Sequence, residues 1–221
     1  MSRLPTPEPD WFAHPALSDS LRALARRGDV RRYPRGSLLI QEGDVGDTLY
    51  VILDGRLRAY SVSLVNGREI TYSSYGPGEY VGELGLDGGP RSANVIALEV
   101  SICSVITRPT LERHIAEHPA FAFELLAKVI RSARAATLMA RHLALTDVYG
   151  RLKTLLEALA GAPLEEGRRD LPLRLTHQEM AHRVGCTREM VGRVMRDLVR
   201  GGYVAEEAAR LTILRPLPAR W

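Results

Sequence analysis

The stretch LTHQEMAHRVGCTREMVGRVMRDL, residues 175–198, is predicted to form two helices joined by a tight turn at Gly185-Cys186. The first helix begins with Thr176-x-x-Glu179, the pattern of a capping box. In a capping box the Thr hydroxyl accepts a hydrogen bond from a backbone N–H of the first turn, and the Glu carboxylate accepts one from the cap residue. Because both ends of the first helix are marked by specific residues, we predict a helix-turn-helix here.

The second helix of this stretch has an apolar and a polar face. Thr187 can cap its N-terminus. Its buried stripe is predicted to consist of Val191, Val194, Met195 and Leu198. The other face forms one continuous patch: Arg188, Glu189, Gly192, Arg193 and Arg196. A helix-turn-helix places the start of its second helix in the major groove, where Arg can contact guanine and Glu can accept from cytosine. We predict that this patch reads double-stranded DNA, the alternative being a solvated surface with local salt bridges.

The C-terminal end of the chain carries much of the positive charge. The formal net charge is +4, and the segment from Pro163 onward contains eleven arginines and eight acidic residues. Nearly all cations are arginine, which can contact phosphates and guanine bidentately. The segment GGYVAEEAARLTIL, residues 201–214, is predicted to follow the two helices as a two-stranded wing without a glycine at its tip.

A long helix is predicted upstream, because residues 120–144 contain neither Gly nor Pro. One row of this helix keeps the alternating four- and three-residue spacing of a coiled-coil seam. Its members are Ala122, Leu126, Val129, Ala133, Ala136, Ala140 and Leu143. We predict that two copies of the chain dimerise in parallel through this seam, the alternative being a single helix packed on its own domain. Thr146 or Asp147 is predicted to cap a further helix that runs to Gly161, followed by a polar loop over residues 162–172.

Residues 31–108 consist of short β-branched or aromatic runs separated by turn residues. The turns include Asp54-Gly55, Gly76-Pro77-Gly78 and Asn66-Gly67, and Asn-Gly between alternating strands is a strong hairpin signal. We predict an antiparallel barrel or jelly roll, followed by a short helix that ends at Pro119.

The stretch YVGELGLDGGPRSANV, residues 80–95, places one carboxylate and one guanidinium among several glycines. Its free backbone N–H groups can surround an anion. Arg91 adds a full positive charge, Ser92 adds a hydroxyl, and Glu83 can accept a hydrogen bond from a sugar hydroxyl. A ribose phosphate satisfies this set. The alternative is a structural Glu83–Arg91 ion pair in a glycine-rich turn.

Residues 80–95 resemble the phosphate-binding cassette of the catabolite activator (CRP/FNR) family of bacterial transcription factors, and residues 175–198 resemble its recognition segment. The resemblance covers nearly the whole chain and is strongest with the cyclic-AMP-receptor-like branch. It implies an α+β protein with three parts. They are an N-terminal antiparallel β jelly roll of the cyclic-nucleotide-binding type (12–119), a dimerisation helix (120–145) and a C-terminal winged helix-turn-helix (146–221).

The family's cassette implies a cyclic nucleotide as effector. The family assigns backbone and ribose contacts to Gly82 and Glu83, and contacts with the cyclic phosphate to Arg91 and Ser92. Two adjacent hydroxyl residues contact adenine in the cyclic-AMP-binding members, and the matching positions here are Ala136 and Thr137, of which one keeps a hydroxyl. The expected binding residues are Gly82, Glu83, Leu84, Arg91, Ser92, Ala93 and Thr137. Cyclic AMP is the leading ligand, with cyclic GMP or cyclic di-GMP behind it.

The resemblance also implies a palindromic DNA site with TGTGA-like half-sites. By position, the arginines and the glutamate that read it are Arg188, Glu189 and Arg193, and Gln178 and Thr187 complete the expected DNA contacts. RNA polymerase is the implied protein partner. The alternative is a transcription factor of the same fold that is independent of ligand; the sign of the ligand effect, and activation or repression, stay open.

Several other classes of protein are disfavoured by the sequence. It contains no nucleophile–base pair, Walker motif or metal-ligand spacing, so we predict no enzyme activity and no metal. The two cysteines, Cys103 and Cys186, lack the spacing of a zinc or iron–sulfur site and are expected to be small buried residues. The histidines at 114, 118 and 142 are predicted to be surface residues rather than haem ligands. No apolar run of about 18 residues and no signal peptide occurs, so a cytoplasmic, membrane-free protein is expected.

Overall fold

The computed structural model describes residues 10–162, 168–172, 175–207 and 210–220. The chain divides into two compact units. The first contains the residues up to Ser61 together with Tyr72–Ala133, and the second contains Val62–Thr71 together with the residues from Arg134 onward.

Eight strands lie between Asp10 and Ile106, a stretch that the structure describes completely. They are β1 (Asp29–Tyr33), β2 (Leu38–Ile40), β3 (Leu49–Asp54), β4 (Leu57–Val62), β5 (Glu69–Tyr75), β6 (Tyr80–Val81), β7 (Asn94–Ala97) and β8 (Ser101–Ile106). They form two four-stranded sheets with the orders β1-β8-β3-β6 and β2-β7-β4-β5. The registered pairs are antiparallel, so the predicted jelly roll is confirmed.

The predicted Asn66-Gly67 turn joins β4 to β5. Ser63 N–H donates to the Arg68 carbonyl at 2.8 Å, and Gly67 N–H donates to the Ser63 carbonyl at 2.9 Å. These bonds close the hairpin as the local sequence predicts.

The two sheets share an apolar core. Ile52, Leu57 and Cys103 are fully buried within it. Burial raises the pKa of the Cys103 thiol to about 12, so this cysteine is a neutral packing residue at physiological pH. Cys186 is also buried and free, as predicted.

The helices of the first unit pack against strand residues of the roll in a second apolar cluster. They are α1 (Asp19–Ala25), α2 (Arg108–Glu117) and the beginning of α3 (Ala120–Leu145). Phe121 anchors the start of α3, since it is 1% exposed and packs among the strand residues. The uninterrupted α3 confirms the predicted long helix.

The second unit contains the helices α4 (Val148–Leu159), α5 (His177–Val184) and α6 (Arg188–Arg200), and the strands β9 (Arg169–Leu171), β10 (Val204–Glu207) and β11 (Arg210–Ile213). Asp147 caps α4 by accepting from Gly150 N–H at 2.7 Å. Helix α4 ends at Leu159, two residues before the predicted end at Gly161. The core of the second unit is formed by the buried faces of its three helices α4, α5 and α6 and of its strands.

The predicted two-stranded wing is a three-stranded antiparallel sheet with the order β10-β11-β9. Strand β9 lies in the segment predicted as a polar loop, whose residues 163–167 are outside the described residues. Only Leu171 of this strand is buried, so three residues gave too little apolar periodicity to reveal it. The two residues at the predicted wing tip, Ala208 and Ala209, also lie outside the described residues.

The prediction of a surface residue at position 114 is wrong. His114 is 0% exposed and makes an edge-on contact with Phe121 and a tilted contact with His118, with ring centroids 5.1 and 4.8 Å away. Among the residues that the structure describes, neither ring nitrogen of His114 has a hydrogen-bond partner. Burial and the positive charge of Arg27 lower the pKa of His114. The apolar packing on α2 therefore holds a neutral imidazole.

We expect the substitution His114→Leu to stabilise the protein by about 1 kcal/mol at pH 8, because it removes two buried polar atoms without partners. In the unfolded chain the His114 pKa is about 6.5, whereas in the folded chain it is lower. As the pH falls below about 6.5, the unfolded chain takes up a proton at His114 before the folded chain does. The free energy of unfolding therefore decreases as the pH falls below that value. The variant should lose less stability on acidification than the wild type.

Urea unfolding at pH 8 and pH 5.5 measures this difference. If the wild type and His114→Leu lose the same free energy of unfolding between pH 8 and pH 5.5, the folded protein does not hold His114 neutral.

Candidate functional site

The glycine-rich stretch at residues 80–95 folds into a tight turn immediately after β6. Glu83–Gly85 form a short 3₁₀ helix, and Gly82 before it has a φ of +99°. A Cβ on Gly82 would lie 2.5 Å from the Thr48 carbonyl oxygen. Both the left-handed backbone and the close approach of another chain segment therefore require glycine at this position.

Arg91 lies beneath this turn and is 7% exposed. Its Nη1 donates to the Gly82 carbonyl and its Nη2 donates to the Thr48 carbonyl, both at 2.9 Å. The guanidinium thus ties the turn to the segment before β3. Because its two acceptors are uncharged, the positive charge of Arg91 is not neutralised by these contacts.

The structure does not support the alternative of a Glu83–Arg91 ion pair, since Arg91 bonds to the two carbonyls instead. Glu83 is 8% exposed. Its own backbone N–H and the hydroxyl of Ser132 on α3 favour the ionised form of this carboxylate and so lower its pKa. Burial raises the pKa of Glu83, while the nearby charge of Lys128 opposes that shift. The two charges of the stretch are therefore held separately.

Sequence reasoning missed Lys128 and Ser132 as neighbours of this site. Lys128 is 8% exposed, and its Nζ donates to the Tyr80 carbonyl at 3.1 Å. A signal was present, because Lys128 is one of two lysines in a chain whose other cations are arginines. Lys128 also lies on the buried side of the long helix α3, where a lysine is not expected.

The remaining residues of the predicted effector site are more exposed. Leu84 is 45% exposed, Ser92 is exposed and Ala93 is half-buried, so these positions border the turn rather than support it. Ala136 and Thr137 are exposed positions of α3 and belong to the second unit. Their contact with a base stays a prediction.

The helix-turn-helix is built as the sequence predicts. Thr176 N–H donates to Glu179 Oε2 at 2.7 Å and Glu179 N–H donates to Thr176 Oγ1 at 3.2 Å, completing the capping box of α5. Thr187 caps α6 by accepting from Met190 N–H at 3.2 Å. The four residues of the predicted stripe on α6 are all buried. Their burial fixes which side of α6 is left outward.

The outward face of α6 carries the predicted DNA-reading residues. Arg188, Glu189 and Arg193 are exposed, as are Gln178 and Thr187. Its own backbone N–H and the Thr187 hydroxyl lower the pKa of Glu189, so this side chain is an ionised acceptor at neutral pH. Within the described residues, the ion pair formed on α6 joins Arg200 to Asp197, at the far end from this patch. The alternative of a patch neutralised by local salt bridges is therefore not supported.

A cleft of about 420 Å³ lies between the start of α5, the first residue of α6 and the strands of the wing. Gln178, Arg188 and Arg210 contribute to its lining. His177 Nε2 and Glu206 Oε1 are 3.0 Å apart, which links α5 to β10. Two predicted DNA contacts thus border the wing.

The turn of the helix-turn-helix has a contact that the sequence did not reveal. Arg68 Nη2, in the segment between β4 and β5, donates to the Gly185 carbonyl at 2.6 Å. One residue on, Glu69 Oε2 lies 3.4 Å from His182 Nδ1 on α5. Arg68 therefore satisfies a carbonyl at the C-terminal end of α5, where helical partners are missing.

Two features are absent from the described part of the chain. No group of three or more His, Cys, Asp or Glu side chains there is arranged to hold a metal ion. None of the described helices combines the length and apolar character that crossing a bilayer requires.

Comparisons with known proteins find relatives of both the jelly roll and the helix-turn-helix. Residues 30–118 match the family model of the cyclic nucleotide-binding domain, and residues 150–217 match that of the Crp-like helix-turn-helix domain. The chain is 30% identical over 200 residues to the CRP-like cAMP-activated global transcriptional regulator of Mycobacterium tuberculosis, covering 88% of each chain. It is 33% identical over 172 residues to the cAMP-activated global transcriptional regulator CRP of Escherichia coli O6:H1, covering 76% of this chain and 81% of that protein.

Solved structures show the same fold. The c-di-GMP responsive global regulator CLP of Xanthomonas campestris superposes with a TM-score of 0.77 at 24% identity, covering 89% of this chain and 98% of that chain. The catabolite activator protein of Thermus thermophilus superposes with a TM-score of 0.53 at 28% identity, covering 92% and 93%.

We expect Gly82→Ala to destabilise the protein more than Gly88→Ala, although both glycines have positive φ angles of +99° and +87°. A Cβ added at position 82 would meet the Thr48 carbonyl, whereas nothing lies within 4 Å of a Cβ at position 88. Gly88→Ala should therefore cost only the backbone strain of about 1–2 kcal/mol. Urea unfolding of the two variants measures the difference, and equal losses would show that the approach of Thr48 does not constrain the turn.

Proposed function

Because this chain belongs to the CRP/FNR family of bacterial transcription regulators, we propose that it is a dimeric, DNA-binding regulator controlled by a cyclic nucleotide. The observation that carries the proposal is the buried Arg91 guanidinium, which is fixed by two uncharged carbonyls beside a glycine-rich turn. A fixed cation of this kind suits an anionic ligand, since little reorganisation is needed when the ligand binds. The members of this family are transcription regulators, and we propose no enzyme activity.

Cyclic AMP is the proposed effector. Arg91 and Ser92 would hold the cyclic phosphate, and the Gly82–Leu84 turn with Glu83 would hold the ribose. The buried Glu83 carboxylate supports this assignment, because it is an acceptor that Arg91 does not neutralise. The curated relatives at 30% and 33% identity are cAMP-activated by name, which favours the same ligand here.

Selection of the base is expected to be weaker than selection of the ribose phosphate. The proposed adenine contacts are Ala136 and Thr137, and only threonine can offer a hydroxyl. One hydrogen bond contributes about 0.5–1.5 kcal/mol, or roughly a factor of ten in affinity at the upper limit. Cyclic GMP and cyclic di-GMP are therefore the competing effectors, and a ligand-independent regulator is the second candidate function.

The proposed dimer forms through the exposed row of α3. Leu126 and Leu143 of that row are 53% and 42% exposed, and the alanines between them are small enough for two helices to approach closely. Apolar residues left exposed on a long helix favour a protein partner. The proposed seam comprises Leu126, Val129, Ala133, Ala136, Ala140 and Leu143.

The proposed mechanism couples effector binding to DNA binding through this dimer. An effector that contacts Thr137 biases the packing of the two long helices, and that packing sets the spacing of the two recognition helices. Such coupling requires a different effector affinity for the two arrangements. RNA polymerase is the proposed partner of the DNA-bound dimer.

We expect isothermal titration calorimetry to show the tightest binding for cyclic AMP among the three nucleotides. The substitution Arg91→Ala should abolish detectable binding, and Arg91→Lys should weaken it about 10- to 100-fold, since a charged hydrogen bond contributes about 1.5–3 kcal/mol. The thermal unfolding temperature of each variant should be measured beside its titration, because Arg91 also supports the turn and a loss of folding must be told apart from a loss of binding. Arg31→Lys, on exposed β1, is the matched control. If the wild type binds none of the three nucleotides, the ligand-independent candidate is favoured instead.

We expect the dimer to select paired TGTGA-like half-sites from random DNA. Arg188→Ala should weaken binding by about 1–3 kcal/mol and relax one base position, because a bidentate contact with guanine is lost. Arg200→Ala, at the other end of α6, should leave base preference unchanged. Selection of bound DNA followed by sequencing checks both variants, and a site without paired G and C preferences would contradict the proposal.

A further inference from the structure

Three consecutive residues around the start of β5 contact the C-terminal end of α5, and both segments belong to the second compact unit. Arg68 Nη2 donates to the Gly185 carbonyl at 2.6 Å, and Glu69 Oε2 lies 3.4 Å from Nδ1 of His182. Ile70 is a close neighbour of Gly185, since its Cδ1 would lie 3.4 Å from a Cβ at that position. These three consecutive residues form what we call the hairpin support.

The hairpin support lies inside the sequence that matches the cyclic nucleotide-binding domain, residues 30–118. The segment Val62–Thr71 nevertheless groups with the helix-turn-helix in the second unit. The match to the Crp-like helix-turn-helix domain, residues 150–217, does not include this segment. A substitution in the hairpin support can therefore act on the helix-turn-helix from outside that domain.

His182 connects the hairpin support to the DNA-reading residues. Its Nε2 is hydrogen-bonded to the side-chain amide of Gln178, which lies one helical turn earlier on α5. Gln178 is exposed and lines the cleft together with Arg188, the first residue of α6. The side chains of His182 and Glu69 are 18% and 26% exposed. A chain of contacts thus runs from a partly buried carboxylate to an exposed amide at the proposed DNA-reading surface.

The Glu69 carboxylate favours one arrangement of protons on the His182 ring. An ionised carboxylate can only accept a hydrogen bond, so the Nδ1 atom that faces it carries a proton. In the neutral ring Nε2 is then an acceptor, and the amide N–H of Gln178 donates to it. In the charged ring Nε2 donates instead, and the amide oxygen accepts. The ring therefore holds the Gln178 amide in either charge state.

We propose that Glu69 is a positioning residue for DNA binding, which acts through His182 to hold the Gln178 amide at the DNA-reading surface. This inference rests on the proposed DNA-binding function. A long polar side chain loses rotamer freedom when it contacts a partner, and a side chain that is already held loses less. Arg68 and Ile70 keep the carboxylate beside α5 through their own contacts with Gly185.

We expect Glu69→Ala to weaken binding to DNA by about 2- to 10-fold for each half-site, which is the ordering cost of one long side chain. The loss of a negative charge would by itself strengthen binding, since DNA is a polyanion. Glu69→Gln also loses the charge but keeps an acceptor oxygen, so it should bind more tightly than Glu69→Ala. The exposed Glu99 provides the matched control, and Glu99→Ala should bind as the wild type.

A double-mutant cycle separates positioning from general support of the fold. In a Gln178→Ala background, Glu69→Ala should not weaken DNA binding further, because the side chain to be held is absent. Losses that add up in the double variant would overturn the inference. Where Glu69→Ala does not fold by urea unfolding, His182→Ala takes its place in the cycle.

Fluorescence anisotropy measures these affinities on the full-length chain, with and without saturating cyclic AMP. The probe is a labelled duplex that carries the half-sites recovered by the wild type from random DNA. A wild type that recovers no DNA in either condition overturns the proposed function and, with it, the role of Glu69. A wild type that binds DNA as tightly as Glu69→Ala overturns the inference alone.

A second measurement needs no DNA. The chain contains two glutamines, Gln41 and Gln178, and both are exposed. The ¹⁵N order parameter of the Gln178 side-chain amide should exceed that of Gln41 in the wild type and should fall in Glu69→Ala and in His182→Ala. The Gln41 amide should be the same in all three proteins. A Gln178 order parameter that does not change in Glu69→Ala overturns the inference, whether or not DNA binds.

Discussion

The proposed effector site depends on one guanidinium that is held by two backbone carbonyls. Arg91 bonds to Gly82 and Thr48, segments that are far apart along the chain and meet at this point. Its neutral acceptors fix the side chain without using up its charge. The glycine at position 82 follows from this arrangement, because the chain passes too close to Thr48 for a Cβ. The geometry of the turn and its proposed affinity for an anion therefore have the same cause.

Local signals in the sequence were sufficient for most of the second unit. The capping box at Thr176 and Glu179 and the cap at Thr187 mark helix ends through hydrogen bonds within a few residues, and the structure shows those bonds. The apolar stripe of α6 likewise predicted which face is buried. Strand β9 was missed because its pairing with β11 spans about forty residues and its own three residues hold one buried side chain.

The sequence indicated candidate residues for an effector site but not the contacts that hold them. The stretch at residues 80–95 indicated an anion and a sugar hydroxyl, and Arg91 and Glu83 are buried as that function requires. Local spacing could not reveal that Lys128 on α3 is buried beside this turn and bonds to the Tyr80 carbonyl, since it lies more than forty residues further along the chain. The burial of His114 was not predicted for a similar reason. The i,i+4 spacing with His118 does not tell which face of the helix Phe121 covers.

The packing around Arg91 also constrains how this site can evolve. A Cβ on Gly46 would lie 3.1 Å from Nη2 of Arg91, and the other atoms nearest to it belong to the same guanidinium. If the arginine were lost, these three contacts would no longer restrict a side chain at position 46. With such a side chain in place, an arginine at position 91 would have to shift by a few tenths of an ångström. The residues at positions 46 and 91 therefore constrain one another, and a small residue at position 46 leaves the room that the guanidinium of the proposed anion site occupies.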